Sequence, residues 1–230
     1  MILEVVPKLT TLRQFDTCRL IPSRFADVED SVLSPLADAD SAVLRDLFEL
    51  DNATNERLRG EYGGLPGIGV DELVFGVPNF RIINAAYTYP RPEGSRFNDS
   101  ERGAWYCAFE VDTALAEITF HKTVEYQEID RFDDSVTYQA MLADFTSTFN
   151  DMRDVPAFAS YLDPASYIES QRVAGQLLEG GSMGVIYPSV RQAGGTCLAC
   201  FRPALVGNVR KGQAYRLTWS GSPDPVIESI

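Results

Sequence analysis

The sequence holds a single histidine, His121, among 230 residues. One imidazole excludes the usual multi-histidine metal centre, and no metal is expected. Cysteine is sparse as well. Four residues in a chain this long do not make a disulfide framework, so free thiols and a reducing cytoplasm are expected. Basic charge is short: 20 Lys and Arg stand against 33 Asp and Glu, a formal net charge of −13. A protein that neutralises nucleic-acid phosphates needs a basic face, so direct DNA or RNA binding is not expected. A basic protein partner is compatible with the charge. No apolar run approaches the roughly 20 residues that span a bilayer. The opening, MILEVVPKLTTLRQ, has no basic stretch followed by a long apolar one, so no signal peptide is expected. Internal repeats and low-complexity segments are both missing.

What is present is an ordinary globular composition, 45% hydrophobic and 23% charged, with length enough for a sizeable core. Residues 1–40 are mixed. Asp40 or Ser41 can cap a helix with Val43, Leu44, Leu47 and Phe48 on one stripe, and a second helical piece follows over 53–59. EYGGLPGIGV at 61–70 reads as a connecting loop, since no strand and helix frame it as a dinucleotide fingerprint requires. Leu73–Phe75 and Phe80–Ile83 read as short strands, with Arg81 opposite the apolar face as a solvated edge charge or a functional group. Gly103–Phe109 reads as a buried strand, with Trp105, Cys107 and Phe109 on one face. Asp112 is placed to cap a helix from Thr113 to about Val124. Val136–Leu142 alternates as a strand, and Asp163-Pro164 opens a helix that stops at Gly180-Gly181. Strands are expected at 185–187, 196–201, 205–209 and 214–219. Helices interrupt strands irregularly, which predicts an α+β fold and not a doubly wound sheet.

The chemistry concentrates between Tyr87 and His121. Arg96 sits in a Gly-Ser turn, Tyr106 in the apolar run WYCAF, and Glu117 in an Ala/Leu-rich helical pattern. A loop, a strand and a helix thus each offer one functional side chain. Arginine binds diphosphate oxygens bidentately. Tyrosine offers an aromatic face to a heterocycle. A lone carboxylate stabilises an oxocarbenium-like centre or bonds ribose hydroxyls. A ligand with a ring, a ribose and a diphosphate fits NAD. His121 lies one turn after Glu117, as local structure or as part of a site. Cys197 and Cys200 form a C-x-x-C with no second pair, and strand alternation places them on opposite faces.

At these residues the sequence resembles the RES-domain family, the toxin half of RES–Xre toxin–antitoxin pairs. The matching pieces are GSRFN at 94–98, AWYCAF at 104–109, TALAEITFH at 113–121 and GVIYPSVR at 184–191. Arg96, Glu117 and Ser189 match the Arg, Glu and Ser that name the family, Tyr106 matches its tyrosine, and Arg81 resembles its earlier arginine. Phe97 stands where tryptophan is more common, and Asp99-Ser100 replaces a Pro-Pro-like turn. The resemblance implies a RES domain over residues 76–220, with residues 1–75 as a mostly helical extension packed on it. It implies an ADP-ribosyltransferase-like fold of the diphtheria-toxin type, with NAD as substrate in a cleft between two small sheets.

By the same resemblance, Arg81 and Arg96 bind the diphosphate, Tyr106 stacks on the nicotinamide, and Ser189 positions the nicotinamide end. Glu117 bonds a ribose hydroxyl and stabilises charge at the anomeric carbon. The implied activity is mono-ADP-ribosylation of a cytosolic protein. The alternatives are an NAD-degrading glycohydrolase or phosphorylase, and a catalytically inert partner-binding module. The implied partner is an Xre-type antitoxin whose tail covers the cleft, an arrangement compatible with a dimer of toxin–antitoxin pairs.

Overall fold

The computed structural model describes residues 6–26, 67–153 and 156–230. Among the described residues seven strands are β1 (Lys8–Pro22), β2 (Trp105–Ala108), β3 (Asp133–Asp151), β4 (Gly184–Pro188), β5 (Thr196–Cys200), β6 (Gly207–Ser220) and β7 (Val226–Ser229). Three α-helices accompany them among the described residues: α1 (Phe80–Thr88), α2 (Val111–Glu128) and α3 (Ile168–Glu179). The mixture is α+β, as the interleaving of patterns predicts. No helix among the described residues is long and apolar enough to cross a membrane.

The strands form one hydrogen-bonded sheet in the order β1-β2-β5-β4-β3-β6-β7, with β1 also paired to β3. Long ladders join β1 to β3, β3 to β6 and β6 to β7, all antiparallel. A second group, β2, β5 and β4, is also antiparallel. The two groups meet only at corners. Cys18 pairs with Ala108 between β1 and β2, and Asn150 and Asp151 pair with Val185 and Ile186 between β3 and β4. These short pairings join the two groups into the single sheet.

Alternation along the strands sorts the core. Trp105 and Cys107 of β2 and Leu198 and Cys200 of β5 face a large-residue cluster with Phe80, Ile83 and Tyr87 of α1. Ala108, Cys197, Ala199 and Cys18 face the opposite cluster, where α2 packs through Ala114. Small side chains on that second face leave room beside α2. Period-two alternation is how successive residues reach two cores at once.

Several elements depart from sequence expectation. Residues 8–22, expected within a mostly helical extension, form a 15-residue strand inside the main sheet. Its pattern is masked by a bulge between Gln14 and Thr17, where Asp16 takes a φ of 56° and donates its N–H to Asp144 Oδ1 (2.9 Å). The helices expected over 40–59 lie outside the described residues, as do residues 61–66 of the glycine-rich loop. Phe80–Ile83 is not a strand but the start of α1, which buries Phe80, Ile83, Asn84 and Tyr87 at helical spacing. Four residues are too short a window to separate periods of 2 and 3.6. Leu73–Phe75 is irregular because its backbone bonds a side chain: Asn84 Nδ2 donates to Val74 O (2.8 Å) and Asn84 Oδ1 accepts Val74 N–H (3.1 Å).

Glu110, not Asp112, holds the N-cap position of α2. Asp163 accepts the N–H of Ala165 (2.8 Å) in a local turn, and α3 begins later, at Ile168. Its end is as expected. Gly181 adopts φ +81°, Ser182 N–H bonds Leu177 O (2.8 Å) and Gly181 N–H bonds Leu178 O (3.0 Å), closing a Schellman motif. The strands expected at 205–209 and 214–219 merge into the single β6, bulged against β3.

Candidate active site

Helix α2 starts where β2 ends, and that junction sets the position of Glu117. Glu110 Oε2 accepts the Thr113 hydroxyl (2.9 Å) and the Thr196 N–H (3.1 Å), tying the first turn of α2 to the start of β5. Ala114, Glu117, Ile118 and His121, spaced at i, i+3, i+4 and i+7, then line one wall of a cleft of about 250 Å³.

Ser189 reaches the same carboxylate from the turn after β4. Its hydroxyl accepts the N–H groups of Arg191 (3.1 Å) and Gln192 (3.0 Å), and donates to Glu117 Oε1 (2.6 Å). The two backbone donors occupy the oxygen lone pairs, so the hydroxyl proton is directed at the carboxylate. Cys197 Sγ donates to the same oxygen over 3.9 Å. Glu117 Oε2 has no hydrogen bond among the described residues.

Arg96 lines the cleft from a rigid turn. Gly94 adopts φ +73°, and a Cβ there would fall 2.3 Å from Asn98 O, so only glycine closes the turn. Ser95 N–H bonds Asn98 O (2.8 Å) across it. Arg96 is buried, its Nη1 donating to Asp163 O (2.8 Å), and its guanidinium lies 4.8 Å from the Tyr167 ring centroid. Tyr106 braces this turn: its hydroxyl accepts Phe97 N–H and donates to Asn98 Oδ1, each at 2.8 Å. Burial raises the phenol pKa, keeping it a donor. The Tyr106 ring lines the cleft while its hydroxyl is spent on Arg96's support. Phe97 packs edge-on against Tyr187 (4.8 Å) and is itself buried, where no indole donor is called for.

The cleft thus gathers Arg96, Tyr106 and Glu117, with Ser189 bonded to Glu117. Arg81 is not among the lining residues; it lies exposed on the first turn of α1. Two arginines that sequence patterns passed over do line the cleft: Arg19 of β1 and Arg91. Arg19 Nη1 donates to Tyr106 O (3.1 Å), and its guanidinium lies 5.1 Å from the Trp105 ring centroid. Its Nε is buried with no hydrogen-bond partner among the described residues. The available signal was an arginine inside the apolar run C-R-L-I. Arg91, at the mouth, pairs with exposed Glu125 (3.3 Å).

His121 lines the cleft beside Glu117. Burial first, then Arg91 and Arg191, push its imidazole down to about 4. It is therefore neutral near pH 7 and adds no cation next to the carboxylate. Among the described residues no group of three or more His, Cys, Asp or Glu could hold a metal ion. Cys197 and Cys200 face opposite clusters, as alternation predicts.

A known protein of Sinorhizobium fredii (strain NBRC 101917 / NGR234), the uncharacterized protein y4oC, is 29% identical over 204 residues, covering 89% of this chain and 83% of that protein. The fold is also similar to a chain of the crystal structure of the M. tuberculosis MbcT–MbcA toxin–antitoxin complex. There the identity is 13%, the TM-score 0.48, and coverage 90% of this chain and 87% of the other. A likeness that distant carries no functional argument. The RES domain model matches residues 73–220, the span that holds Arg96, Tyr106, Glu117 and Ser189, and the chain belongs to the RES domain family.

Proposed function

We propose that this chain is the toxin of a toxin–antitoxin pair, and that its cleft binds NAD and breaks the nicotinamide N-glycosidic bond. The observation that carries this is the Ser189–Glu117 hydrogen bond, which holds a carboxylate in a cleft flanked by Arg19, Arg91 and Arg96. The arginines offer a cationic cradle to a diphosphate. The Tyr106 ring offers a face to the nicotinamide. Glu117, fixed through Oε1, keeps Oε2 for a ribose hydroxyl. As the bond between the ribose anomeric carbon and the ring nitrogen breaks, its electron pair leaves with nicotinamide. The carboxylate then stabilises the positive charge on the ribose. Neutral His121 adds no further cation beside that carboxylate. The ADP-ribosyl group passes to a nucleophile, a side chain of a cytosolic protein, or water or phosphate in the alternative. Family membership supports an Xre-type antitoxin covering the cleft.

Incubation with NAD labelled in its adenylate half, with and without cell lysate, tests the proposal. Nicotinamide release with a labelled protein band marks transfer, and release with only free ADP-ribose or its phosphate marks degradation. No release from the wild-type protein, or full release from Glu117→Gln, would overturn NAD cleavage by this site.

A further inference from the structure

We propose that Cys197 is a positioning residue for Glu117: its thiol is a second donor to the carboxylate oxygen that Ser189 already holds. The inference rests on Glu117 being the acid of NAD cleavage. A glutamate on a helix has three side-chain torsions, and one hydrogen bond leaves its carboxylate free to swing about that contact. Here two donors converge on Oε1 from different elements, Ser189 after β4 at 2.6 Å and Cys197 of β5 at 3.9 Å. Two fixed points set the carboxylate's orientation and leave Oε2 turned to the substrate.

The thiol suits the place. Cys197 is 3% exposed, in the face that also carries Ala108 and Ala199. A small side chain there preserves the cleft's volume. Burial, then the charge of Glu117, raises its pKa, so it stays protonated and remains a donor. A thiol is a weak donor, and an ionised acceptor strengthens the bond it makes. The C-x-x-C spacing then has no joint meaning. Cys200 faces the other core and donates to Arg202 O at 3.4 Å, with no path to the cleft.

The test combines infrared spectroscopy with kinetics. The S–H stretch falls in a window clear of other protein bands, and the band lost in Cys197→Ser belongs to Cys197. It is expected at lower frequency in the wild-type protein than in Glu117→Ala, where the acceptor is gone. In nicotinamide release, Cys197→Ala is expected to lower kcat roughly three- to tenfold with KM for NAD nearly unchanged. Cys197→Ser, whose hydroxyl donates in the thiol's place, recovers most of that loss. An S–H band at the same frequency in wild type and Glu117→Ala overturns the inference, as does wild-type kcat in Cys197→Ala. If Cys197→Ala does not fold, the infrared comparison decides alone. A wild-type protein that releases no nicotinamide removes the NAD proposal, whereas the S–H frequency still reports whether the thiol bonds the carboxylate.

Discussion

Ser189 and Glu117 stand 72 residues apart and share a 2.6 Å hydrogen bond, the hydroxyl donating to Oε1. The serine is locked by two backbone N–H groups, so it acts as a fixed post to which the carboxylate is tied.

Ser189→Ala removes the post and leaves Glu117 held only by the weaker Cys197 thiol contact. Nicotinamide release is expected to lose about 10- to 100-fold in kcat, with a smaller change in KM, since the lost contact orients the acid and not the diphosphate. Steady-state kinetics on NAD check this.

Arg19 and Arg81 are expected to part company. Arg19→Met removes a guanidinium from the cleft and raises KM for NAD about tenfold or more, whereas Arg81→Met leaves KM unchanged. Circular dichroism confirms folding of both variants, and equal effects would contradict the placement of β1.

Tyr106→Phe keeps the ring and deletes the hydroxyl that joins Phe97 N–H to Asn98 Oδ1. Two groups lose their partner, costing about 1–3 kcal/mol of stability by urea unfolding. The loosened turn also raises KM, because it carries Arg96.

Glu72 bridges buried Arg102 (2.8 Å) and Arg202 (3.0 Å). Its carboxyl is held below the usual range, first by the Arg102 hydrogen bond. A depressed carboxylate stabilises the fold above its unfolded pKa of about 4.3, and that contribution is lost as pH falls through the folded value. Glu72→Gln is expected to cost roughly 2 kcal/mol at pH 7, with the gap to wild type narrowing toward pH 3. Urea midpoints across that range check it.

His121 gives the opposite sign from a histidine that gains an acidic partner. Its folded pKa, about 4, lies below the unfolded value near 6.5. Between those values the unfolded chain binds a proton that the folded chain does not, so stability falls as pH drops through the window. As the only histidine in the sequence, it alone contributes an imidazole term there. His121→Gln is expected to flatten the dependence of the urea midpoint from pH 6.5 to 5.

The sequence by itself determined what depends on neighbours along the chain. Alternation in AWYCAF set which face of β2 each residue takes, Gly180-Gly181 marked the end of α3, and the order of GSRFN, AWYCAF, TALAEITFH and GVIYPSVR carried the family. Tertiary structure alone decided what depends on partners far away. Residues 8–22 are a strand because β3 pairs with them, from Lys8 opposite Asp151 to Pro22 opposite Tyr138, and that pairing brings Arg19 into the cleft. Phe80–Ile83 turns helical because Asn84 and Tyr87, beyond the short window, bury on the same side. Local periodicity reports which residues share a face. Which face meets which is set by burial and hydrogen bonding between segments that no spacing along the chain encodes.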